Sequence, residues 1–417
     1  MVRLSLCIAL AALALDAKVQ ARDLTLPEAE SLLVRNNREL QAARRNMESA
    51  DAQRVIAAAR PNATFSVNAT SISDANTIEG QKRGADTVLR IDQPFERGNK
   101  RALRLDAASG LQRAARHDYL DVLRQQLALL QGAYYDLKLS QERAQTLAEN
   151  AQLFSGTLAA AERRLKAGDL APADVAKVQV DYERAQNDAR GAQAELVRAQ
   201  ITLAYLLALE AEARELRAVE GWPALQRADA AAVEEALDAR PDVVAARTRV
   251  EAAEKLRDLA RAQRTRDVTI GAQYERWIPG SAPTNSFGLG VSVPLFTGND
   301  FAGDIQKAEV DRYAALDARA RVRAVARNEL ARAAADLNAA GERVERFDAS
   351  LLGAANRSAE ASEFAFSRGA ISVLEVLDAR RTLRAVRLEA LGARADYAKA
   401  LGAWRAAQAS AQSLEAR

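Results

Sequence analysis

Few residues in this 417-residue sequence have side chains suited to chemistry, and most of those are acidic. The only cysteine is Cys7 and the only histidine is His117, so neither a nitrogen and sulfur metal site nor a thiol–imidazole pair can be completed. The sequence has no phosphate-binding loop and no nucleophile elbow. We therefore expect no enzymatic activity, no catalytic residue, no metal site and no cofactor.

Two carboxylates beside a glycine are the clearest candidates for a functional site. Glu375 and Asp378 are three residues apart and share one face of a helix that follows Gly369. In a trimer they would repeat threefold and form acidic rings, which lower the energy of cations at a constriction. The alternative is an ordinary solvated helix face with a capping role.

The first residues have the pattern of a secretory signal. Arg3 precedes an apolar run from Leu4 to Leu15, and Val19-Gln20-Ala21 is a small-residue cleavage pattern. The run is too short to span a bilayer as a helix. We therefore expect residues 1–21, including Cys7, to be removed during export.

Charge and hydropathy exclude two further classes of protein. The 59 Lys and Arg residues almost cancel the 56 Asp and Glu residues, whereas a nucleic-acid-binding chain concentrates positive charge. After residue 21 there is no uninterrupted apolar stretch of ~18 residues. We expect no nucleic-acid partner and no membrane-crossing helix, so that any membrane insertion would use strands.

The chain repeats itself with a long period. Segment 93–99 (QPFERGN) recurs 200 residues later as 293–299 (VPLFTGN), and 164–168 (RLKAG) recurs as 366–369 (FSRG) at nearly the same offset. A period of this size indicates duplication of one structural unit. The two repeats are predicted at 22–220 and 221–417.

Each repeat is predicted to contain a helix, two strands, a long helix, a turn and a further helix, and the first helices are predicted at 26–60 and 230–264. Alternation of apolar with small or polar residues predicts strands at about 62–72, 87–95, 267–277 and 286–296. Strands of about ten residues that are apolar on one face suit a tilted membrane strand. The alternative is a pair of soluble hairpins packed on helices.

A very long helix follows the second strand of each repeat. Lys100 to Lys166 and Ala302 to Ser367 contain no helix breaker, so each would be on the order of 100 Å long. Leucines three, four or seven residues apart predict coiled-coil seams. Each long helix reverses at Gly168 or Gly369 into a shorter one. The helix hairpins are predicted at 98–210 and 300–411.

Four strands cannot close a membrane barrel, so neighbouring chains must contribute strands. Two chains would give a barrel filled by side chains, whereas three would leave a passage. The predicted fold is mainly α with a small membrane β part. It combines a long antiparallel coiled-coil helical barrel with a β-barrel shared by three protomers, four strands each.

The two turn regions are the most specific stretches of the sequence. Residues 368–383 (RGAISVLEVLDARRTL) have 165–175 (LKAGDLAPADV) as their counterpart in the first repeat. Both stretches resemble the TolC-like outer-membrane factors of tripartite efflux pumps, and the resemblance covers essentially the whole chain after residue 21. It implies a homotrimer in the outer membrane of a Gram-negative bacterium, in contact with its lipid and with a helical tunnel extending through the periplasm.

The resemblance also implies partners and cargo. The tunnel tip would dock on a periplasmic adaptor (membrane fusion) protein coupled to an inner-membrane pump of the RND type. The protein would be a passive duct for small molecules or metal cations. Segment 94–101 (PFERGNKR) is similar to that of the heavy-metal-efflux (CzcC-like) branch, although an ordinary strand-to-helix junction explains it equally well.

Family members supply roles for several residues near the turns. Positions that match Glu375 and Asp378 line the narrow periplasmic entrance and attract cations, and Asp174 matches a residue of the gate network. Some members close the entrance with an arginine two residues beyond the turn glycine, where this chain has Ile371.

Apolar and basic residues around the turns predict a docking surface for the adaptor. The two glycines would supply the positive backbone angles that reverse a helix. The predicted docking residues are Arg164, Gly168, Leu170, Arg368, Gly369 and Ile371.

Three other functions compete with an efflux duct. An enzyme would need a convergent polar pocket, for which the sequence offers no motif. A soluble periplasmic coiled-coil scaffold explains the helices but not the signal or the matched strands. An outer-membrane duct of a protein secretion system remains the closest alternative.

Overall fold

A computed structural model describes most of the chain, apart from the N-terminal segment and several short stretches. The described residues are 22–70, 77–78, 81–82, 85–229, 232–277, 282–368 and 370–416. The predicted signal segment 1–21 and the turn residue Gly369 lie outside this range.

The first half has a helix, two longer strands, a long helix and a further helix, but its first helix is divided and its described residues include four short strands that the sequence did not predict. Its elements are β1 (Arg22–Leu24), α1 (Leu26–Asn36), α2 (Arg38–Ala58), β2 (Thr64–Thr70), β3 (Thr77–Ile78), β4 (Gln81–Lys82), β5 (Asp86–Phe95), α3 (Lys100–Lys166), α4 (Pro172–Leu207) and β6 (Leu216–Ala218). A short 3₁₀ helix, Glu210–Glu215, precedes β6.

The second half follows the same order. Its elements are α5 (Ala232–Ala239), α6 (Pro241–Ala262), β7 (Val268–Trp277), β8 (Thr284–Ser292), α7 (Ala302–Arg346), α8 (Leu352–Ser367), α9 (Val373–Ala407) and α10 (Ala411–Glu415). A π-helical turn, Phe347–Leu351, separates α7 from α8. The predicted fold class, mainly helical with a small sheet, is confirmed.

A single buried polar residue divides the predicted helix 26–60 into α1 and α2. Asn37 leaves the helical region with ψ 129°. Its side-chain oxygen accepts a hydrogen bond from the amide of Leu40 (3.1 Å), and its side-chain nitrogen donates to the carbonyl of Leu206 (3.0 Å). Asn37 thereby caps α2 and satisfies a carbonyl at the end of α4.

Arg240 has the corresponding position between α5 and α6, within the helix predicted from Ala230 to Arg264. It is 0% exposed. The guanidinium donates to the carbonyl of Ala407 at the end of α9 (3.3 Å) and to the carboxylate of Glu329 (2.8 Å). The proline that follows it disfavours helical geometry at Arg240, so the helix breaks here.

The described contacts divide the chain into two compact units. The sheet unit comprises Arg44–Tyr119 and Pro241–Ala324, and the helical unit comprises the described residues up to Ala43, then Leu120–Arg240, and those from Val325 onwards. Each unit draws on both sequence repeats.

The sheet unit contains a four-stranded antiparallel sheet in the order β2-β5-β7-β8. Within one row of the register, Ile91 lies between Phe65 and Ala272, and Ala272 is paired with Leu289. Since β5 and β7 come from different repeats, the sheet joins the two repeats.

The helical unit fastens the connection between the repeats with two buried tyrosines. The hydroxyl of Tyr134 donates to the carbonyl of Leu24 (2.8 Å) and accepts from the amide of Glu220 (2.9 Å). Burial raises the pKa of Tyr134 to about 12. The hydroxyl of Tyr397 donates to the carbonyl of Ala224 in the same way (3.0 Å).

Candidate functional site

The turn after α3 reverses the helix with a glycine in the left-handed region. Gly168 has φ +81°. Its amide donates to the carbonyl of Leu165 (3.0 Å), and the amide of Asp169 donates to that of Arg164 (2.9 Å). This is the Schellman pattern of a helix C-terminus. The side chain of Arg164 is exposed beside the turn.

The second turn has the same long hydrogen bond, in which the amide of Ala370 donates to the carbonyl of Ala365 (2.9 Å). Arg368 is exposed, and its guanidinium lies 5.2 Å from the ring centroid of Phe364. Ile371 is half-buried. The turns therefore correspond in the two repeats, as their sequences suggested.

An apolar cluster brings the two hairpins together next to these turns. Its buried residues are Phe154, Ala161, Val178, Ala185 and Leu377, which come from α3, α4 and α9. Leu170 and Val175 pack against this cluster. Leu170 is therefore half-buried rather than projecting fully into solvent, and the first turns of α4 and α9 are neighbours.

The predicted carboxylates stand on the first two turns of α9. Ser372 caps this helix by accepting a hydrogen bond from the amide of Glu375 (3.4 Å). Both Glu375 and Asp378 are exposed. Within the described residues neither carboxylate forms an ion pair, so both charges face solvent.

Asp174 lies in the first turn of α4, where a negative charge complements the helix dipole. It is half-buried and forms an ion pair with Lys177 (3.2 Å). Its neighbour Val175 packs against the cluster that contains Leu377, between Glu375 and Asp378. All three predicted gate residues thus lie within two residues of a side chain that belongs to this cluster or packs against it.

Sequence reasoning missed a set of arginines that follow these carboxylates on α9. Arg380 pairs with Glu363 (2.8 Å), and Arg384 pairs with Asp188 (3.5 Å). Arg381 forms an ion pair with Asp181, whose carboxylate is almost fully buried. Since these guanidinium groups are neutralised by neighbouring helices, the exposed charge at the start of α9 is acidic.

A partial signal for this set was present in the sequence. Arg384 lies four residues after Arg380 and three after Arg381, which places basic groups on adjacent helix faces. Two of their partners, Asp181 and Asp188, are on α4, about 200 residues away in the chain. No local pattern identifies a partner at that separation.

In the sheet unit, one face of the four-stranded sheet is apolar and exposed. Alternate residues of a strand share a face. The exposed apolar residues of this face are Phe65, Val67, Ile91, Phe95, Ile270, Phe287, Leu289 and Val291. Leu289 is 88% exposed, and Tyr274 and Phe287 pair with ring centroids 5.3 Å apart.

The opposite face is polar and carries more acid than base. The four paired strands contribute three carboxylates to it, Asp86, Asp92 and Glu275, and one guanidinium, Arg90. Its remaining residues are mostly serine, threonine, glycine, asparagine or glutamine. Such a division into an apolar and a polar face is typical of a membrane strand with a wet interior.

Segment 94–101 forms a strand-to-helix junction that depends on close approach. Gly98 has φ +69°, and a Cβ added there would lie 2.8 Å from Cβ of Thr265. The Oδ1 atom of Asp267 accepts from the amide of Arg97 and from Nζ of Lys100, both at 2.9 Å. The side chain of Lys100 is only 5% exposed. The motif therefore has a local structural role at this junction.

Among the described residues, no helix is both long enough and apolar enough to cross a membrane. The same residues also contain no group of three or more His, Cys, Asp or Glu side chains that could hold a metal ion.

Comparison with known proteins identifies related sequences along both repeats. The sequence profile described as "Outer membrane efflux protein" matches residues 30–209 and 232–410. The chain is similar to the cobalt-zinc-cadmium resistance protein CzcC of Cupriavidus metallidurans, with 25% identity over 377 residues. This match covers 89% of the chain and 87% of that protein.

Two other similarities are informative. Protein CyaE of Bordetella pertussis is 32% identical over 278 residues, which cover 63% of the chain and 57% of that protein. The structure superposes on the CmeC outer membrane channel of Campylobacter jejuni with a TM-score of 0.78 and 16% identity, covering 92% of the chain and 85% of CmeC. At this identity the superposition establishes the fold alone.

Proposed function

Because the chain belongs to the outer membrane efflux protein family, we propose that three copies of it form a passive duct for divalent metal cations. The protein is the outer-membrane channel of a tripartite efflux pump, it extends into the periplasm, and it is not an enzyme. Proteins of this family function as trimers with adaptor and inner-membrane pump partners. The proposal adds the copy number of this chain, its cargo and the residues that select the cargo.

The four-stranded sheet supports the copy number. Within the described residues β2 and β8 are edge strands, and the face that contains Phe287 and Leu289 is apolar and exposed. An open edge in lipid leaves backbone groups without partners, so strands of other chains must complete the sheet. Three chains supply twelve strands, enough for a closed barrel around a passage.

The likeness to CzcC carries the choice of cargo. That protein is named for cobalt, zinc and cadmium resistance, and the match spans nearly the whole of both chains. The polar face of the sheet agrees with a cationic cargo, because its three carboxylates outnumber its single guanidinium. Carboxylates along a passage favour cations over anions.

We place the selective entrance at the first turns of α9 and α4. Glu375 and Asp378 are exposed carboxylates without ion pairs among the described residues, and the arginines that follow them are neutralised. Three copies would form two acidic rings. Asp174, beside the same apolar cluster, would join the network that opens and closes this entrance.

Neutralising both ring carboxylates tests the cargo and the entrance together. The double variant Glu375→Gln/Asp378→Asn removes two charges per chain and should lower the cation-to-anion permeability ratio in planar bilayers about fivefold at low salt. Glu389→Gln is the matched control, because Glu389 is an exposed carboxylate on the same face of α9, three turns farther along. Equal permeability ratios in both variants would return Glu375 and Asp378 to an ordinary solvated face.

Mass measurement in detergent tests the trimer, and a stable monomer would contradict it.

The two turns are the proposed docking site for the adaptor, which links the duct to an inner-membrane pump of the RND type. Arg164 and Arg368 are exposed beside half-buried Leu170 and Ile371, an arrangement that suits a helical hairpin with apolar and acidic groups. The turn glycines Gly168 and Gly369 complete the predicted surface. Photo-crosslinkers at positions 170 and 371, one beside each turn, should capture the adaptor in cells. Normal export without a crosslink at either turn would contradict this assignment.

A further inference from the structure

The polar face of the sheet carries a charge pair that lies flat against its neighbour strand. Arg90 and Asp92 are two residues apart on β5 and form two parallel hydrogen bonds, Nε to Oδ2 at 2.7 Å and Nη2 to Oδ1 at 2.9 Å. This two-pronged geometry is the strongest form of the arginine–carboxylate contact. Because both residues belong to one strand, the pair does not link strands together.

Glycine makes the flat arrangement possible. Asp92 is paired in register with Gly271 of β7, and Gly271 with Gly290 of β8. A Cβ atom added to Gly271 would overlap Oδ1 of Asp92, and it would lie 3.2 Å from Nη2 of Arg90. Glycine weakens a strand interior, so its presence here indicates close approach of another group.

The next row of the register repeats this arrangement without charge. Gln273 of β7 lies over Gly288 of β8, where an added Cβ would be 3.0 Å from Cγ of Gln273. Long polar side chains of this face therefore lie along the sheet rather than stand away from it. The result is a low surface on which Arg90, the single guanidinium that the four described strands place on this face, is neutralised.

We propose that Arg90 and Asp92 are an ion-selectivity-determining pair of the duct: laid on Gly271, they keep the guanidinium charge neutralised against the wall of the passage. The inference rests on the proposed three-chain duct, in which the apolar face meets lipid and the polar face meets the passage. Passing cations then meet the other two carboxylates, Asp86 and Glu275, rather than a ring of three unpaired arginines. Removing Asp92 creates that positive ring.

Two matched comparisons in planar bilayers test the charge and the shape of the pair. Asp92→Asn and Glu275→Gln each remove one negative charge from this face, but only the former also unpairs Arg90. A unit charge ~10 Å away in water changes the local concentration of a monovalent ion about twofold at low salt. We expect Asp92→Asn to lower the cation-to-anion permeability ratio by at least that factor more than Glu275→Gln does. Arg90→Gln should raise the ratio.

The second comparison changes no charge. Gly271→Ala must displace the pair into the passage, whereas Gly290→Ala adds a Cβ whose nearest contact, Nη2 of Arg90, is 3.9 Å away. We expect lower conductance and a lower permeability ratio for Gly271→Ala alone, among trimers of equal abundance. Equal behaviour of Asp92→Asn and Glu275→Gln, or of the two alanine variants, would overturn the inference. A lack of channels from the unaltered protein would instead contradict the duct itself.

Discussion

The long helices of the two repeats have nearly the same length but differ in continuity. In the first repeat α3 runs from Lys100 to Lys166 without a break. In the second, the π-helical turn Phe347–Leu351 divides α7 from α8, and the amide of Leu352 donates to the carbonyl of Phe347. A bond five residues back is the mark of a π turn, which usually appears as a single bulge in an α-helix.

The spacing of matching residues explains this difference. Gly98 and Gly298 are 200 residues apart, whereas Gly168 and Gly369 are 201 apart, so the segment between these glycines is one residue longer in the second repeat. Buried residues up to and including the first residue of the π turn match at a separation of 200 residues. These pairs are Leu130 and Leu330, Leu137 and Leu337, Ala144 and Val344, and Leu147 and Phe347.

Beyond the π turn, matching residues are 201 positions apart, so that buried Phe154 corresponds to buried Ala355. One residue added to an α-helix rotates everything beyond it by about 100°. The π turn accommodates this additional residue, so that α8 buries the same face as the corresponding part of α3. The duplicated halves have therefore preserved the buried faces of their helices, and a local backbone distortion has accommodated the change in length.

The two helix breaks sharpen this comparison most. Arg240 is fully buried and charged, whereas Asn37 is buried and neutral. Arg240→Met should destabilise the protein by about 3 kcal/mol, because it removes a buried guanidinium from the carbonyl of Ala407 and from Glu329, which is half exposed. Asn37→Leu should cost about 1.5 kcal/mol for a lost cap and a lost amide bond.

The melting temperature of the proposed trimer, measured for both variants under the same conditions, tests which substitution destabilises it more. The unaltered protein and a variant with an exposed substitution, Arg387→Gln, serve as references. A larger decrease in melting temperature for Asn37→Leu than for Arg240→Met would mean that the charged residue Arg240 contributes less to stability than Asn37 does.

The two strand-to-helix junctions should differ next in their tolerance of a side chain. Gly98→Val places a β-branched residue at φ +69° and against Thr265, at a cost of about 2–3 kcal/mol. Gly298 has open space around its Cβ position, so Gly298→Val should change stability by less than about 0.5 kcal/mol. Chemical unfolding in detergent compares them. Equal losses would show that the second junction is as constrained as the first.

Much of the fold could be predicted from sequence because its signals are periodic and long. Lys100 to Lys166 was predicted to the residue, since a coiled-coil seam continues for many turns and Gly168 ends it. The break at Arg240 has a signal in Pro241, which the predicted helix 230–264 passed over. The break at Asn37 has none, because a polar residue within an otherwise helical pattern gives no sign that it is buried. The hydrogen-bond partners of these two residues, Leu206 for Asn37 and Ala407 for Arg240, lie far along the chain.

The candidate site divides in the same way. The turn at Gly168 and the cap at Ser372 follow from local residue types, and both appear in the structure. The contact between Asp92 and Gly271 depends on the register of strands from different repeats, which alternation alone does not fix. The roles of Glu375, Asp378 and Asp174 stay predictions, because they concern neighbouring copies of the chain.

Deleting one residue from the π turn should have the smallest effect of all. Ser350 is exposed, and its hydroxyl contacts only the carbonyl of Arg346 (3.1 Å) among the hydrogen bonds of the described residues. Without it Phe347 and Ala355 become seven residues apart, the spacing that Leu147 and Phe154 have in the first repeat. The segment can then form a continuous α-helix with the same buried face, so stability should change by less than about 1 kcal/mol.

The matched control removes a residue where none is in excess. Deleting exposed Gln152 from α3 should rotate Phe154 and Ala161 by about 100° out of their apolar cluster and abolish trimer assembly. If both deletions were equally damaging, the π turn would not be absorbing an additional residue. If the protein lacking Ser350 assembled as a stable trimer but no longer supported efflux, the π turn would have a role in transport itself. Stable assembly would show that packing does not require the π turn. Trimer melting and efflux, measured on the same preparations, separate these outcomes. Because the second repeat has one additional residue, we expect the protein lacking Ser350 to keep both its trimer stability and its efflux activity.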